Sequence, residues 1–79
     1  MGIKQLPLES GRVIVEVFEA LGWKSTRSKH NHYVLTREDK PHLYLSIPDH
    51  RKVDRHLLKA EIRKAAITEE EFLDAHEKI

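Results

Sequence analysis

At 79 residues the chain is near the lower limit for a domain held by one hydrophobic core, and we expect a single domain over residues 1–79. It contains no cysteine, which excludes disulfides and thiolate metal sites. No apolar run is longer than Val13–Val15, so neither a membrane span nor a signal-peptide core is expected. These features predict a cytoplasmic protein that does not attach to membranes.

The small net charge of +1 conceals an uneven distribution. Residues 23–64 contain eleven Lys or Arg against five Asp or Glu, whereas the two ends together contain three against eight. Five of the six histidines also lie in this basic stretch: His30, His32, His42, His50 and His56. A basic middle between acidic ends indicates a face for a polyanion, although charge alone is equally compatible with an ordinary mixed-charge surface.

In the N-terminal third of the chain, we predict a loosely held arm followed by one helix. Residues 1–9 show no clear period. Ser10 is a good N-cap, and Gly22 supplies a left-handed stop, so we predict a helix over about 10–22. Its apolar stripe has the i, i+3, i+4, i+7 spacing of a helix: Ile14, Val17, Phe18 and Leu21.

In the middle of the chain the apolar residues recur with a period of two, which indicates strands. We predict a first strand over 23–29, a second over 32–37 and a third over 43–47, which Pro48 ends. Residues 38–41 have the composition of a turn. Short strands with tight connections predict an antiparallel meander.

Two further helices are predicted at the C-terminal end. Asp54 is placed to cap the first, and Thr68 with Glu71 forms a capping box for the second. The apolar positions of the two helices are Leu57, Leu58, Ile62, Ala65 and Ala66, then Phe72 and Leu73. The fold class is therefore α+β, with the α-β-β-β-α order of the double-stranded-RNA-binding domain plus a terminal helix. We expect the helices to cover one face of a three-stranded antiparallel sheet and to leave the other face open.

The second strand carries a candidate catalytic residue. If Tyr33 and Leu35 face the core, alternation places His32 on the open face. An exposed imidazole titrates near neutral pH and can accept a proton from a ribose 2′-hydroxyl. A histidine at a strand start is nevertheless more often structural or simply exposed than catalytic.

The pair His30 and His32 also permits a metal hypothesis, because alternate strand residues share a face and His42 or His50 could complete a site. No carboxylate or cysteine lies at a matching spacing, and the helical two-histidine motif of zinc hydrolases is absent. We therefore predict no metal and no cofactor.

Basic residues around the helix that Asp54 caps suggest phosphate contacts. Arg51 and Lys52 precede the helix, and a ridge at i, i+4 and i+8 follows: Arg55, Lys59 and Arg63. Such a ridge suits a nucleic-acid backbone, with an ordinary exposed helix face as the alternative. Aromatic residues near the sheet are few, which argues against extended single-strand stacking.

Taken in order, four segments resemble the HicA family of type II toxin–antitoxin systems, over roughly residues 10–74. The first is Ala20–Trp23 at the end of the first helix, and the second is His30–Leu35 at the family's catalytic histidine. The third is Leu45–His50, a strand closed by a proline, one further residue and a histidine, and the last is Leu58–Leu73 at the closing helix with its acidic cap. The chain differs from the family at residues 29–31 and 55–56, where glycine with serine or threonine is common.

The resemblance implies a metal-independent endoribonuclease toxin that cleaves mRNA and is neutralised by a HicB-like antitoxin. His32 takes the catalytic position, and the expected assemblies are a homodimer or a hetero-oligomer with the antitoxin. The expected RNA-binding residues are Lys29, His30, Asn31, His50, Arg51, Lys52, Arg55, Lys59 and Arg63. A non-catalytic RNA-binding module and a domain that binds only a protein partner are the two alternatives.

Overall fold

A computed structural model of the protein describes residues 5–29 and 31–79, with backbone alone for residues 27–29. Its elements are α1 (Gly11–Ala20), β1 (Lys24–Lys29), β2 (His32–Thr36), β3 (Tyr44–Pro48), α2 (Arg55–Lys64) and α3 (Glu69–Glu77). The strands form one antiparallel sheet in the order β1-β2-β3. The predicted α+β class is confirmed. No helix in the described part of the chain is both long and apolar enough to span a membrane.

The predicted caps of α1 are confirmed. The Ser10 side chain accepts a hydrogen bond from the Val13 backbone N–H at 3.3 Å, and Gly22 ends the helical segment with a φ of 102°. Gly11 is needed for a close approach, because a Cβ there would overlap the carbonyl oxygen of Pro48. The start of α1 is thereby packed against the end of β3.

One face of the sheet lies in the hydrophobic core, as the alternation predicts. Leu35 pairs with Leu45, and Tyr33 pairs with Ile47. Leu35, Leu45 and Ile47 are fully buried, and they belong to the same cluster as the apolar residues of all three helices. Since the helices supply this core, His32 and the other residues that alternate with it lie on the uncovered face.

α2 contacts the free edge of β3 at Ser46. Asp54 caps this helix through a bond from the Leu57 N–H, as predicted. The Glu61 carboxylate, which is 8% exposed, accepts a hydrogen bond from the Ser46 backbone N–H at 2.8 Å. An edge N–H that would otherwise point to solvent or to another strand is thus satisfied within the domain.

The ends of the C-terminal helices give one confirmation and one correction. The Thr68–Glu71 capping box is present, and Phe72 is fully buried. Ala66, predicted on the apolar face, is instead exposed and has a φ of 60°. The helical period does not continue through Ala66, because this residue forms the left-handed turn that ends α2.

Residues 5–10 differ from the loose arm that the sequence suggested. Leu6 is 2% exposed and belongs to the core cluster. Its carbonyl accepts a bond from Arg55 Nε at 2.6 Å, and the Glu9 carbonyl accepts one from the Val53 N–H at 2.8 Å. The Glu9 carboxylate also pairs with His76 Nε2 at 2.7 Å. The segment is therefore fixed to α2 and α3.

Candidate functional site

His32 is the first residue of β2 and its side chain is exposed. In the sheet register it lies between Lys29 of β1 and Pro48 of β3. Val34 and Ser46, further along the uncovered face, are only partly buried. An imidazole in this position is in contact with water and can be reached by a long, flexible substrate.

The loop after β3 lies at the same end of the sheet as His32. The Asp49 N–H donates to the Asn31 carbonyl at 2.7 Å, which joins this loop to the β1–β2 turn. Asn31 has a φ of 62°, a left-handed conformation that asparagine tolerates better than most residues. The structure thus brings Asn31 and His50 to the same end of the sheet as His32.

Contacts with α1 and with β2 hold the loop in place. The His50 carbonyl accepts a bond from the Gly11 N–H at 2.9 Å. The Tyr33 hydroxyl donates to Asp49 Oδ1 at 3.3 Å. Burial, followed by the adjacent Asp49 carboxylate, raises the pKa of Tyr33, while Arg12 acts in the opposite direction. The phenol therefore stays protonated at neutral pH and can keep donating to the loop.

Positive charge follows His50 directly. Arg51 and Lys52 are both exposed in the same loop. Of the other residues predicted at this end, Lys29 occupies its place in the sheet register, while its side chain and the whole of His30 lie outside the described part of the chain. The described part of the site is therefore one exposed imidazole beside a short basic loop.

The basic ridge of α2 is not part of this cluster. Arg55 is partly buried and donates to the Leu6 carbonyl, whereas Lys59 and Arg63 are exposed. At about 100° per residue, both exposed cations lie roughly 160° around the helix from Glu61, which contacts β3. The ridge therefore points away from the β3 edge and forms a second basic surface.

One contact between α2 and the uncovered face was not predicted from the sequence. Lys64 Nζ lies 5.4 Å from the centroid of the Tyr44 ring and 3.2 Å from Glu61 Oε1. The alternation of β3 places Tyr44 on this face, but the position of Lys64 depends on how α2 packs along the edge. The residue periodicity of β3 and that of α2 do not indicate how the helix packs along the strand.

Within 5–29 and 31–79, no three His, Asp or Glu side chains come together in a group that could hold a metal ion. The hypothetical site built on His30 lies outside these residues. The absence of a metal requirement therefore stays a prediction.

These features define a class: a small α+β domain in which helices cover one face of a three-stranded antiparallel sheet and an exposed histidine lies on the other. A family model described as the HicA toxin of bacterial toxin–antitoxin systems matches residues 11–67, well over half of the chain. The protein belongs to the HicA toxin family, and membership implies an antitoxin partner. No curated protein and no solved structure gives a significant match.

Proposed function

We propose that this toxin is a cytoplasmic, metal-independent endoribonuclease that cleaves mRNA, with His32 as its catalytic residue. The observation that carries the proposal is the position of His32 on the uncovered sheet face, beside the loop that contains Arg51 and Lys52. Such a site needs no deep pocket, because the substrate is a chain that can lie across the surface.

The reaction needs a proton acceptor for the attacking oxygen and a proton donor for the leaving oxygen, and one imidazole can fill the two roles in turn. Neutral His32 takes the proton of a ribose 2′-hydroxyl, and the 2′-oxygen attacks the adjacent phosphorus. The bond from phosphorus to the 5′-oxygen of the next nucleotide breaks, and the imidazolium returns its proton to that leaving oxygen. The products are a 2′,3′-cyclic phosphate and a 5′-hydroxyl end. Arg51 and Lys52 stabilise the charge that develops on the phosphate.

The test is cleavage of a labelled mRNA by purified protein in the presence of a chelator. His32→Ala is expected to lower the rate by about 10²-fold or more, because positioned acid–base catalysis is typically worth ~10²–10⁴-fold. His42→Ala is the matched control, since His42 is also exposed but lies in the connection between β2 and β3, at the other end of these strands. Both variants should keep the wild-type melting temperature. Equal activity of His32→Ala and wild type would refute the assignment.

The same comparison in cells tests the role as a toxin. Expression of the wild type should arrest growth and deplete mRNA, while His32→Ala at the same protein level should do neither. Coexpression of a HicB-like antitoxin should restore growth by covering the active face. An adjacent reading frame for such a protein is the simplest supporting observation.

A second candidate function is RNA binding without cleavage. It is favoured by the separate location of Lys59 and Arg63, which can contact phosphates without bringing them to His32. This function predicts RNA that is bound in a salt-dependent manner and recovered intact. Cut RNA in the chelator experiment, absent with His32→Ala, would exclude it.

A further inference from the structure

Tyr44 is an exposed aromatic residue on the face that carries His32. Tyr44 is 57% exposed, whereas Trp23, Phe18 and Phe72 are buried and Tyr33 is packed against the core. Tyr44 pairs with Thr36 in the register, so it lies on the uncovered face at the opposite end of β2 from His32. Among the described Phe, Tyr and Trp residues, Tyr44 is therefore the one whose ring this face presents to solvent, at the other end from the His32 imidazole.

The Tyr44 ring is held by a chain of contacts from α2. The Ser46 N–H donates to Glu61 at 2.8 Å, Glu61 pairs with Lys64 at 3.2 Å, and Lys64 Nζ lies 5.4 Å from the ring centroid. A cation over one face of an aromatic ring is attracted by its quadrupole, which favours a fixed ring orientation. A second planar group can then stack on the opposite face without first ordering the side chain.

We propose that Tyr44 is a stacking platform for one unpaired RNA base and that the substrate is single-stranded around the cut. The proposal rests on the proposed ribonuclease function. Its chemical basis is that aromatic rings on open sheets bind bases through their π-faces, which are accessible only when the base is not paired. Lys64 supplies a positive charge beside the ring for an adjacent phosphate.

The register also sets how far the stacked base lies from the scissile bond. Thr36 is four residues beyond His32, which corresponds to ~13 Å along the strand, and Tyr44 lies one strand further across. The resulting separation between His32 and Tyr44 is roughly 14 Å. Four stacked nucleotides would span this distance at about 3.4 Å each, and two would span it if the RNA were stretched. The base on Tyr44 is therefore two to four nucleotides from the cut.

The experiment measures the affinity of uncut RNA in the His32→Ala background. The probes are an unstructured RNA of about 12 nucleotides, a series with one abasic nucleotide at each position, and a duplex of the same sequence. Tyr44→Ala should weaken single-strand binding about 5- to 150-fold, the range of one base–aromatic stack, and should barely affect the duplex. Tyr44→Phe keeps the ring and should bind within about twofold of the parent.

The abasic series identifies the contact itself. In the His32→Ala protein, an abasic nucleotide at one position should lower the affinity more than at any other position. Adding Tyr44→Ala should remove this difference between positions, because the abasic nucleotide and the substitution remove the same stack. Leu8→Ala is the matched control, since Leu8 is also an exposed apolar residue but lies before α1. If Tyr44→Ala perturbs folding, Tyr44→Leu preserves apolar bulk without an aromatic face and should show the same loss.

The outcomes separate this proposal from the ribonuclease function. Unchanged single-strand affinity in Tyr44→Ala, equal losses on duplex and single strand, or a Tyr44→Phe variant as weak as Tyr44→Ala would each overturn the stacking role. An unchanged affinity for single-stranded RNA would indicate that the exposed Tyr44 ring contacts a protein partner instead. None of these results depends on the cleavage assignment, because the measured quantity is the affinity for RNA and gel analysis after each measurement shows whether the RNA is intact.

Discussion

Ala66 has a left-handed backbone conformation that an alanine side chain disfavours. It has a φ of 60°, and its N–H bonds to the Arg63 carbonyl at 3.0 Å where α2 ends. The left-handed region costs an L-residue roughly 1–2 kcal/mol, and glycine avoids this cost at the expense of more entropy in the unfolded chain. Ala66→Gly should therefore raise the free energy of unfolding by about 0.5–1 kcal/mol. Chemical denaturation measures the change.

Ala60 provides the matched control for this prediction. It is also an exposed alanine, but it lies within α2, where glycine is less favourable than alanine by about 1 kcal/mol. Ala60→Gly should therefore destabilise the protein. Two substitutions of the same type, six positions apart, should thus have opposite signs. Destabilisation by both would mean that Ala66 is not strained.

Residue-level predictions from the sequence succeeded where the determinant is local. Ser10, Asp54 and the Thr68–Glu71 pair act through backbone groups within three residues, so their spacing is visible in the chain. Ala66 was misplaced because an apolar periodicity gives no signal for the residue at which a helix ends. The exposure of His32 follows from the alternation of β2, but its catalytic role stays a prediction.

At the scale of elements, a buried carboxylate of α2 bonds directly to the backbone of β3. Glu61→Ala would leave the partly buried Ser46 N–H without its acceptor, which costs about 1–3 kcal/mol. Glu61→Gln retains an acceptor oxygen and should cost less. At this size, 1 kcal/mol corresponds to a melting-temperature change of roughly 4–8 °C, so calorimetry resolves the two variants.

Lys64→Gln separates the edge contact from the ion pair. The Lys64 side chain is 40% exposed, so its pair with Glu61 is screened and should contribute no more than about 1 kcal/mol. We expect Lys64→Gln to change stability less than Glu61→Ala. If the two variants were equally destabilised, the charge pair would account for the effect of Glu61, and the bond to Ser46 would not.

The sequence predicts that α2 forms, but it does not predict where α2 packs. Leu58 and Ile62 mark the buried stripe, but the stripe does not say which strand edge the helix meets or which flank faces it. Glu61 reads as an exposed charge in the sequence, and its burial depends on Ser46, fifteen residues away. The same applies to Leu6, which becomes part of the core only because α2 and α3 hold the N-terminal segment.

For the whole molecule, the distribution of charge predicts two basic surfaces with different functions. The loop with Arg51 and Lys52 is at the His32 end of the sheet, whereas Lys59 and Arg63 lie on the flank of α2 that points away from β3. Cations beside the scissile phosphate should stabilise the transition state, while distant cations should contribute mainly to binding. The unequal charge of the sequence indicated a basic face, but it could not show on which side of α2 Lys59 and Arg63 lie.

Paired neutralisation tests this division. Arg51→Gln with Lys52→Gln should lower kcat, whereas Lys59→Gln with Arg63→Gln should weaken RNA affinity with little change in kcat. The second pair should also reduce the slope of log Kd against log salt by about 0.7 for each phosphate of single-stranded RNA that the protein no longer neutralises. Both pairs are exposed, so melting temperatures should stay close to that of the wild type. Equal effects of the two pairs on kcat would show that the RNA follows one continuous basic surface past His32.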